Sequence, residues 1–415
     1  MRRIVATALG LSIVAAFAVT SGTADTSAAA FDIVRVGSGG FGEPGINIGD
    51  DGAIYVDAPT GAPTHSRMWR SNNGGYNYTA VNFNAPFNRF PGGGDSDIAL
   101  RGTRVYFLDL WVGSNAITIS EDGGQTWTTG TPFTSLPLSD RQWIALGPQD
   151  PLTGLDTVYV LYALIQDPRQ VMLARSRTGG LTWDAHIPVP AFAGATGYTG
   201  QLVSDGKNTL AFVWEDARVL SSAVSTDGGD TWRTKAIASN VLNVIPGVAM
   251  DGQDIHAAWI DRSWRAHTAT SRDLGMTWSA PQVVSAPDTT NIFAWVDTRG
   301  DKVAVAWYGA DVPSQDPNTV PADTVWSVRY TESLNNGGTF DTSISVEPAK
   351  TGIICTRGLG CDGLGTVGRE LADFLSVAIA ADGRSIIVFG GQVPGGIRSA
   401  VQRPSSDVPP PPAPL

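Results

Sequence analysis

The sequence predicts an all-β fold: a single β-propeller of four-stranded blades, seven of them, with six as the alternative. Three observations carry the prediction. A short phrase, Ser-x-Asp-x-Gly-x-Thr-Trp, returns again and again. A second phrase, apolar strand then Gly or Asp turn then apolar strand, lies upstream of each copy. Charged residues are only 16% of a chain holding 48 Gly and 26 Pro, a composition that suits many short strands and turns.

The first phrase is complete at Ser120-Asp122-Gly124-Thr126-Trp127, at Ser225-Asp227-Gly229-Thr231-Trp232 and at Ser271-Asp273-Gly275-Thr277-Trp278. Worn copies stand at Ser71-Asn73-Gly75-Asn77-Tyr78, Ser176-Thr178-Gly180-Thr182-Trp183 and Ser333-Asn335-Gly337-Thr339-Phe340. A repeat at roughly fifty residues with strand patterning is the signature of propeller blades. Each copy follows a β run, as at 116–120 and 222–225, so the phrase is a hairpin turn. Short Asp, Ser and Thr side chains bond the turn's own backbone, Gly supplies positive φ, and the closing aromatic plugs the seam between sheets. Worn copies lose the carboxylate and keep the turn, which makes the acid structural rather than catalytic.

The second phrase marks seven units, at 46–58, 97–110, 143–162, 202–215, 248–260, 293–308 and 374–389. The last unit continues to 397–402 and then lacks a fourth strand. The orphan run 31–36 supplies it, tying the first and last blades and hiding an exposed edge. The connections at 309–323 and 349–369 are longer than hairpins need, and extra loop length on a propeller is where function is commonly carried.

Beyond the ring, residues 1–30 read as a secretory signal: Arg2-Arg3, an apolar run from Ile4 to about Val19, then small residues ending at Ala30. The domain expectation is therefore signal 1–30, propeller 31–404 and a Pro-rich tail 405–415, with the mature protein secreted and no membrane span left after cleavage. Cys355 and Cys361 are the only cysteines, and in an exported chain they are expected to form a local disulfide. The formal net charge of −11, without a basic run past the N-terminus, argues against nucleic acid as a partner. The four histidines share no metal-ligand spacing, so neither a metal nor any other cofactor is expected. No Gly-x-Ser-x-Gly elbow or phosphate loop is present. Trp214, Trp259 and Trp307 recur at equivalent blade positions, as packing residues or as a sugar-stacking platform.

The eight-residue phrase is similar to the Asp-box, also called the bacterial neuraminidase repeat, of sialidases and their relatives, and the resemblance covers nearly the whole chain after the signal. It implies a ligand site around the central channel, on the face opposite the turns. Polar residues stand there at the starts of innermost strands (Asp95, Asp97, Asp140, Arg141, Gln201, Arg369, Glu370, Asp373) and at the ends of second strands (Glu215, Asp216, Arg218, Asp261, Arg262, Arg265, Tyr308, Asp311). Sialidases clamp the sugar carboxylate with three arginines, use a Tyr activated by a Glu as nucleophile, and an Asp as general acid/base. The resemblance thus implies Arg141, Arg262 and Arg369 as the clamp, Arg218 as a substitute, Tyr308 with Glu215 as the nucleophilic pair, and Asp97 as the acid. Two departures stand out. The Phe-Arg-Ile-Pro phrase that supplies the first arginine is absent, the nearest string being Asn88-Arg89-Phe90-Pro91, and the tyrosine has no motif of its own.

Two functions stay open at this point. One is a secreted exo-glycosidase of sialidase type that cleaves a terminal acidic sugar. The other is a non-catalytic propeller that binds glycan or protein at the same rim. A lyase or another glycosidase on the same ring is a third, weakened as a lyase by the scarcity of His. In each reading the partner is a glycan, a glycoconjugate or a protein, and the chain is expected to be a monomer. Three arginine heads converging with a Tyr and Glu in contact would favour the enzyme. Arginines held by their own blades' aspartates would favour binding or scaffold roles.

Overall fold

The computed structural model describes residues 29–38, 42–60, 66–83, 93–111, 113–128, 131–134, 139–164, 170–189, 199–356, 368–392 and 396–404. The expected signal, apart from its last two residues, the Pro-rich tail, Cys361 and the string 88–91 lie outside them. The described residues form seven four-stranded antiparallel sheets and no helix, so the blade count is seven and not six. The innermost strands of blades 1 to 7 are Gly45–Ile48, Ser96–Arg101, Ser139–Gln149, Val203–Ser204, Gly247–Asp251, Thr290–Arg299 and Ser376–Ile379. Each contacts the next, and the seventh returns to the first, closing the ring.

Blade 7 is completed from the other end of the chain. Its outermost strand is Phe31–Gly37, antiparallel to Gly396–Gln402, with Phe31 opposite Gln402 and Arg35 opposite Arg398. This explains why seven blades carry only six of the recurring turns: the seventh third-to-fourth-strand junction is the chain's own seam.

The six turns are built as their residues dictate. In the second, Gly124 N donates to Ser120 Oγ (2.8 Å), Thr126 N to Asp122 Oδ1 (2.8 Å) and Thr126 Oγ1 to Asp122 Oδ2 (2.6 Å). Those bonds, the threonine hydroxyl's first, pull the Asp122 pKa down to about 2. The same pattern recurs at Ser225–Asp227–Thr231 and Ser271–Asp273–Thr277. In worn copies Asn73 and Asn335 accept the matching amide of Asn77 and Thr339 (2.9 Å each), so an amide oxygen replaces the carboxylate.

Each turn also stitches its blade to the one before. Gly229 of blade 4 has φ +90°, and a Cβ there would stand 2.2 Å from Leu173 of blade 3. His256 is buried in blade 5, bonded to Thr270 Oγ1 (3.0 Å) beneath the Gly337 turn of blade 6, which makes it a packing residue.

Trp214, Trp259 and Trp307 are all buried, at 5%, 2% and 1% exposure, so they pack blades and do not offer a sugar platform. The Trp307 indole donates to Asn291 Oδ1 (2.8 Å). The two long connections of blade 6 hold one another, with Ile354 N donating to Pro317 O and Asn318 Nδ2 to Thr356 Oγ1. No helix among the described residues is long and apolar enough to cross a membrane.

Candidate functional site

Antiparallel order inside each blade fixes the two faces of the ring. The recurring turns and the first-to-second-strand turns share one face. The starts of innermost strands and the second-to-third-strand connections form the other, the rim. A cavity of about 430 Å3 follows the axis, bounded by Arg141, Trp143, Trp295 and Phe374 toward the rim and by Arg101, Gly206 and Arg299 toward the turns.

Aromatic residues from three blades meet at the rim end. Trp295 stacks on Phe374 (centroids 4.9 Å, 20°), and Trp143 lies 5.7 Å from each. All three are buried. The Arg141 guanidinium lies over Trp143 at 3.7 Å and Phe374 at 4.5 Å, a cation–π seat closed to water. Arg141 takes positive φ (43°) at the bulge that aims it there.

Around Arg141 three loops contribute carboxylates. Glu43 Oε2 and Asp95 Oδ1 each lie 3.8 Å from Arg141 Nη1. Glu43 Oε1 is 3.9 Å from Arg369 Nη2. Arg369 in turn grips Asp373 with both ends of its fork. Burial first, then Asp95 and Asp373, raises the Glu43 pKa well above the carboxylate range, against the pull of Arg141 and Arg369. Glu370 beside them holds the buried Lys350 of blade 6 (2.6 Å). The cluster has two arginines and three carboxylates, and the Arg369 fork is filled by the protein itself.

Beneath the cluster, polar side chains clasp one innermost strand to the next. Asn47 Nδ2 donates to Ile98 O (2.9 Å) and Gln201 Nε2 to Val248 O (2.6 Å). Asp97 Oδ2 accepts Ile144 N (2.9 Å), and Asp297 Oδ2 accepts Ile379 N (2.6 Å). Burial, with Asp57 adding repulsion, pushes Asp97 up to about 7, and burial pushes Asp57 and Asp297 up to about 6. Asp57 accepts Ser96 Oγ (2.6 Å) and Asp109 accepts Ser66 Oγ (2.8 Å), both across the blade 1–2 seam.

The structure therefore brings together Arg141 and Arg369 of the expected clamp, with Asp97 on the wall of the axial cavity below. It leaves the others apart. Arg218 and Arg262 are exposed on blades 4 and 5. Glu215 accepts the Arg218 backbone N–H (2.6 Å) and has Arg262 near it, and burial raises its pKa. Tyr308 is fully buried on the second strand of blade 6, its hydroxyl accepting Gly390 N (3.2 Å), and burial raises its pKa. No hydrogen bond links Tyr308 to Glu215. Sequence reasoning missed Glu43, which belongs to no repeat. Its one signal was its place just before the first innermost strand. Among the described residues, no group of three or more His, Cys, Asp and Glu side chains is arranged to hold a metal ion.

The chain matches no protein-family model and no curated protein. Solved structures resemble it in fold. The BP39L lectin from Burkholderia pseudomallei shares 13% identity at TM-score 0.52, over 89% of this chain and 95% of the lectin. The phage phi92 endosialidase shares 11% at TM-score 0.51, over 92% of this chain and 71% of that one. The Hadza microbial sialidase Hz136 shares 15% at TM-score 0.45 over 88% of this chain, which spans 66% of that sialidase's length. The propeller is thus sialidase-like in its fold, and at these identities the likeness is one of fold alone.

Proposed function

We propose that this chain is a secreted, glycan-binding propeller that lacks the catalytic apparatus of a sialidase. One observation carries the reading: the rim arginines are enclosed by the protein itself. Arg369 is forked onto Asp373, Arg141 is enclosed by Trp143, Phe374, Glu43 and Asp95, and Tyr308 stands bonded to Gly390 on another blade. An acidic sugar placed on the cluster meets Asp95, Asp373 and Glu43, with one arginine already forked onto Asp373 and the other buried under Trp143 and Phe374, which is a poor clamp. The glycan as partner is supported by the lectin and endosialidase whose folds this chain shares. Export after removal of residues 1–30 belongs to the same proposal, as does a Cys355–Cys361 disulfide, which accords with the absence of a free cysteine among the described residues.

Two measurements on purified protein test it. A glycan array is expected to show binding to a defined set of saccharides, and a fluorogenic sialoside to show no turnover on prolonged incubation. Sialoside hydrolysis lost in Tyr308→Phe or Glu215→Gln would overturn the non-catalytic reading. A blank array would overturn the glycan reading.

A further inference from the structure

The recurring turns make every seam alike, so departures at one seam are informative. In blades 1 and 3 an arginine, Arg70 or Arg175, immediately precedes the turn serine and pairs across the sheet with a tyrosine, Tyr55 or Tyr159. Each donates Nη1 to the carbonyl of a turn glycine of the following blade, Arg70 to Gly123 (3.1 Å) and Arg175 to Gly228 (3.0 Å). At the blade 3–4 seam two aspartates complete the arginine: Asp184 accepts from Nε (3.1 Å) and Asp230 from Nη1 (2.8 Å).

At the blade 1–2 seam the positions matching Asp184 and Asp230 are Thr79 and Gln125. Thr79 pairs with Arg70 in the sheet as Asp184 bonds Arg175, and Gln125 follows Gly124 as Asp230 follows Gly229. Arg70 makes no ion pair among the described residues, and its Nε is buried without an acceptor. Asp122, on the adjoining turn, is spent on Ser120 and Thr126. Beside Arg70 lies an open cavity of about 530 Å3, whose wall carries Asn72, Asn77 and Asn82. None of those three carboxamides bonds to another side chain or to the backbone among the described residues.

A guanidinium that lies over the Tyr55 ring and has no carboxylate partner among the described residues, beside free amide groups in a cavity the size of a small saccharide, suits a sugar bearing a carboxylate. The planar fork takes the carboxylate and the asparagines take neighbouring hydroxyls. The geometry points to this seam as the binding site for a carboxylate-bearing sugar, on the turn face and remote from the rim. The inference rests on the glycan-binding reading and names its site and ligand class.

Calorimetric titration of the purified protein with 3′-sialyllactose and with lactose tests it. The acidic sugar is expected to bind at least tenfold more tightly than lactose. Arg70→Gln is expected to weaken it at least tenfold. So is the double variant Thr79→Asp with Gln125→Asp, which installs the blade 3–4 chemistry and keeps or raises the melting temperature. Equal affinity for lactose, wild-type affinity in both variants, or no binding of the acidic sugar would each overturn the site. If glycan-array binding persists in both variants, the seam falls and the glycan-binding function stands.

Discussion

Between blades 3 and 4 an arginine beside a turn meets two aspartates, and between blades 1 and 2 the matching arginine meets none. Backbone, turn and cross-strand tyrosine are the same at both seams. The difference is two side chains, and it separates a charge that serves the scaffold from one left for something else. The rim cluster falls on the scaffold side. Arg369 is forked onto Asp373, and Arg141 is enclosed under Trp143 and Phe374 with Glu43 and Asp95 3.8 Å away and its Nε and Nη1 without a hydrogen bond, although their place around the channel makes both the more conspicuous candidates.

The largest single-residue effect that can break this comparison is at the rim. Arg141→Ala leaves Glu43 and Asp95 facing each other in a buried pocket and is expected to destabilise the fold by about 3–5 kcal/mol in urea unfolding. A loss under about 1 kcal/mol would show that Arg141 is not part of the scaffold and would restore the clamp as a candidate site.

Smaller for each carboxylate, and shared by the whole axis, is the pH response. Asp97, near 7, and Asp57 and Asp297, near 6, have folded pKa values above the ordinary carboxylate value, so the folded state binds more protons. Stability therefore falls as pH rises through 6 to 7 and grows as pH drops from 8 to 5, by on the order of 5 kcal/mol for the three together. Turn carboxylates such as Asp122 and Asp273, near 2, act the opposite way, and their contribution disappears as pH falls from 4 toward 2. Melting temperature against pH is expected to peak between these ranges, and Asp97→Asn to flatten the alkaline limb. A flat profile between pH 5 and 8 would contradict the burial of these carboxylates.

The smallest effect sharpens the comparison directly. Asp184→Thr with Asp230→Gln gives the blade 3–4 seam the chemistry of the blade 1–2 seam. Both aspartates are partly exposed, at 35% and 57%, so the expected cost is about 0.5–1 kcal/mol by thermal or urea unfolding. A cost above about 3 kcal/mol would mean that compensation is essential at every seam, and Arg70 would then need another explanation.

Much of this was legible in the chain. Trp127, Trp232 and Trp278 close turns whose Ser, Asp and Thr side chains bond the turn itself, and such local chemistry repeats visibly. Seven upstream units favoured seven blades over six, and the orphan strand 31–36 had a place as the missing fourth strand of the last. The candidate site was less legible. Arg141 and Arg369 share a cluster, as their rim positions implied, but Tyr308 faces inward while its neighbours in the alternating strand do not identify which face is the seam. Arg262 and Glu215 are near each other because they sit on adjacent blades, and among the described residues neither forms an ion pair with Arg141 or Arg369.

Taken alone, the sequence determined the all-β class, the six turns, the seven units and the closing strand, because each depends on contacts within a few residues or on a periodic pattern. Tertiary structure decided which charges are spent. Glu43 meets Arg141 and Arg369 across 98 and 326 residues of chain, and Arg70 lacks the acids that Arg175 has. Compensation of a charge depends on distance through space, and closing a ring brings together loops whose separation along the chain says nothing about it.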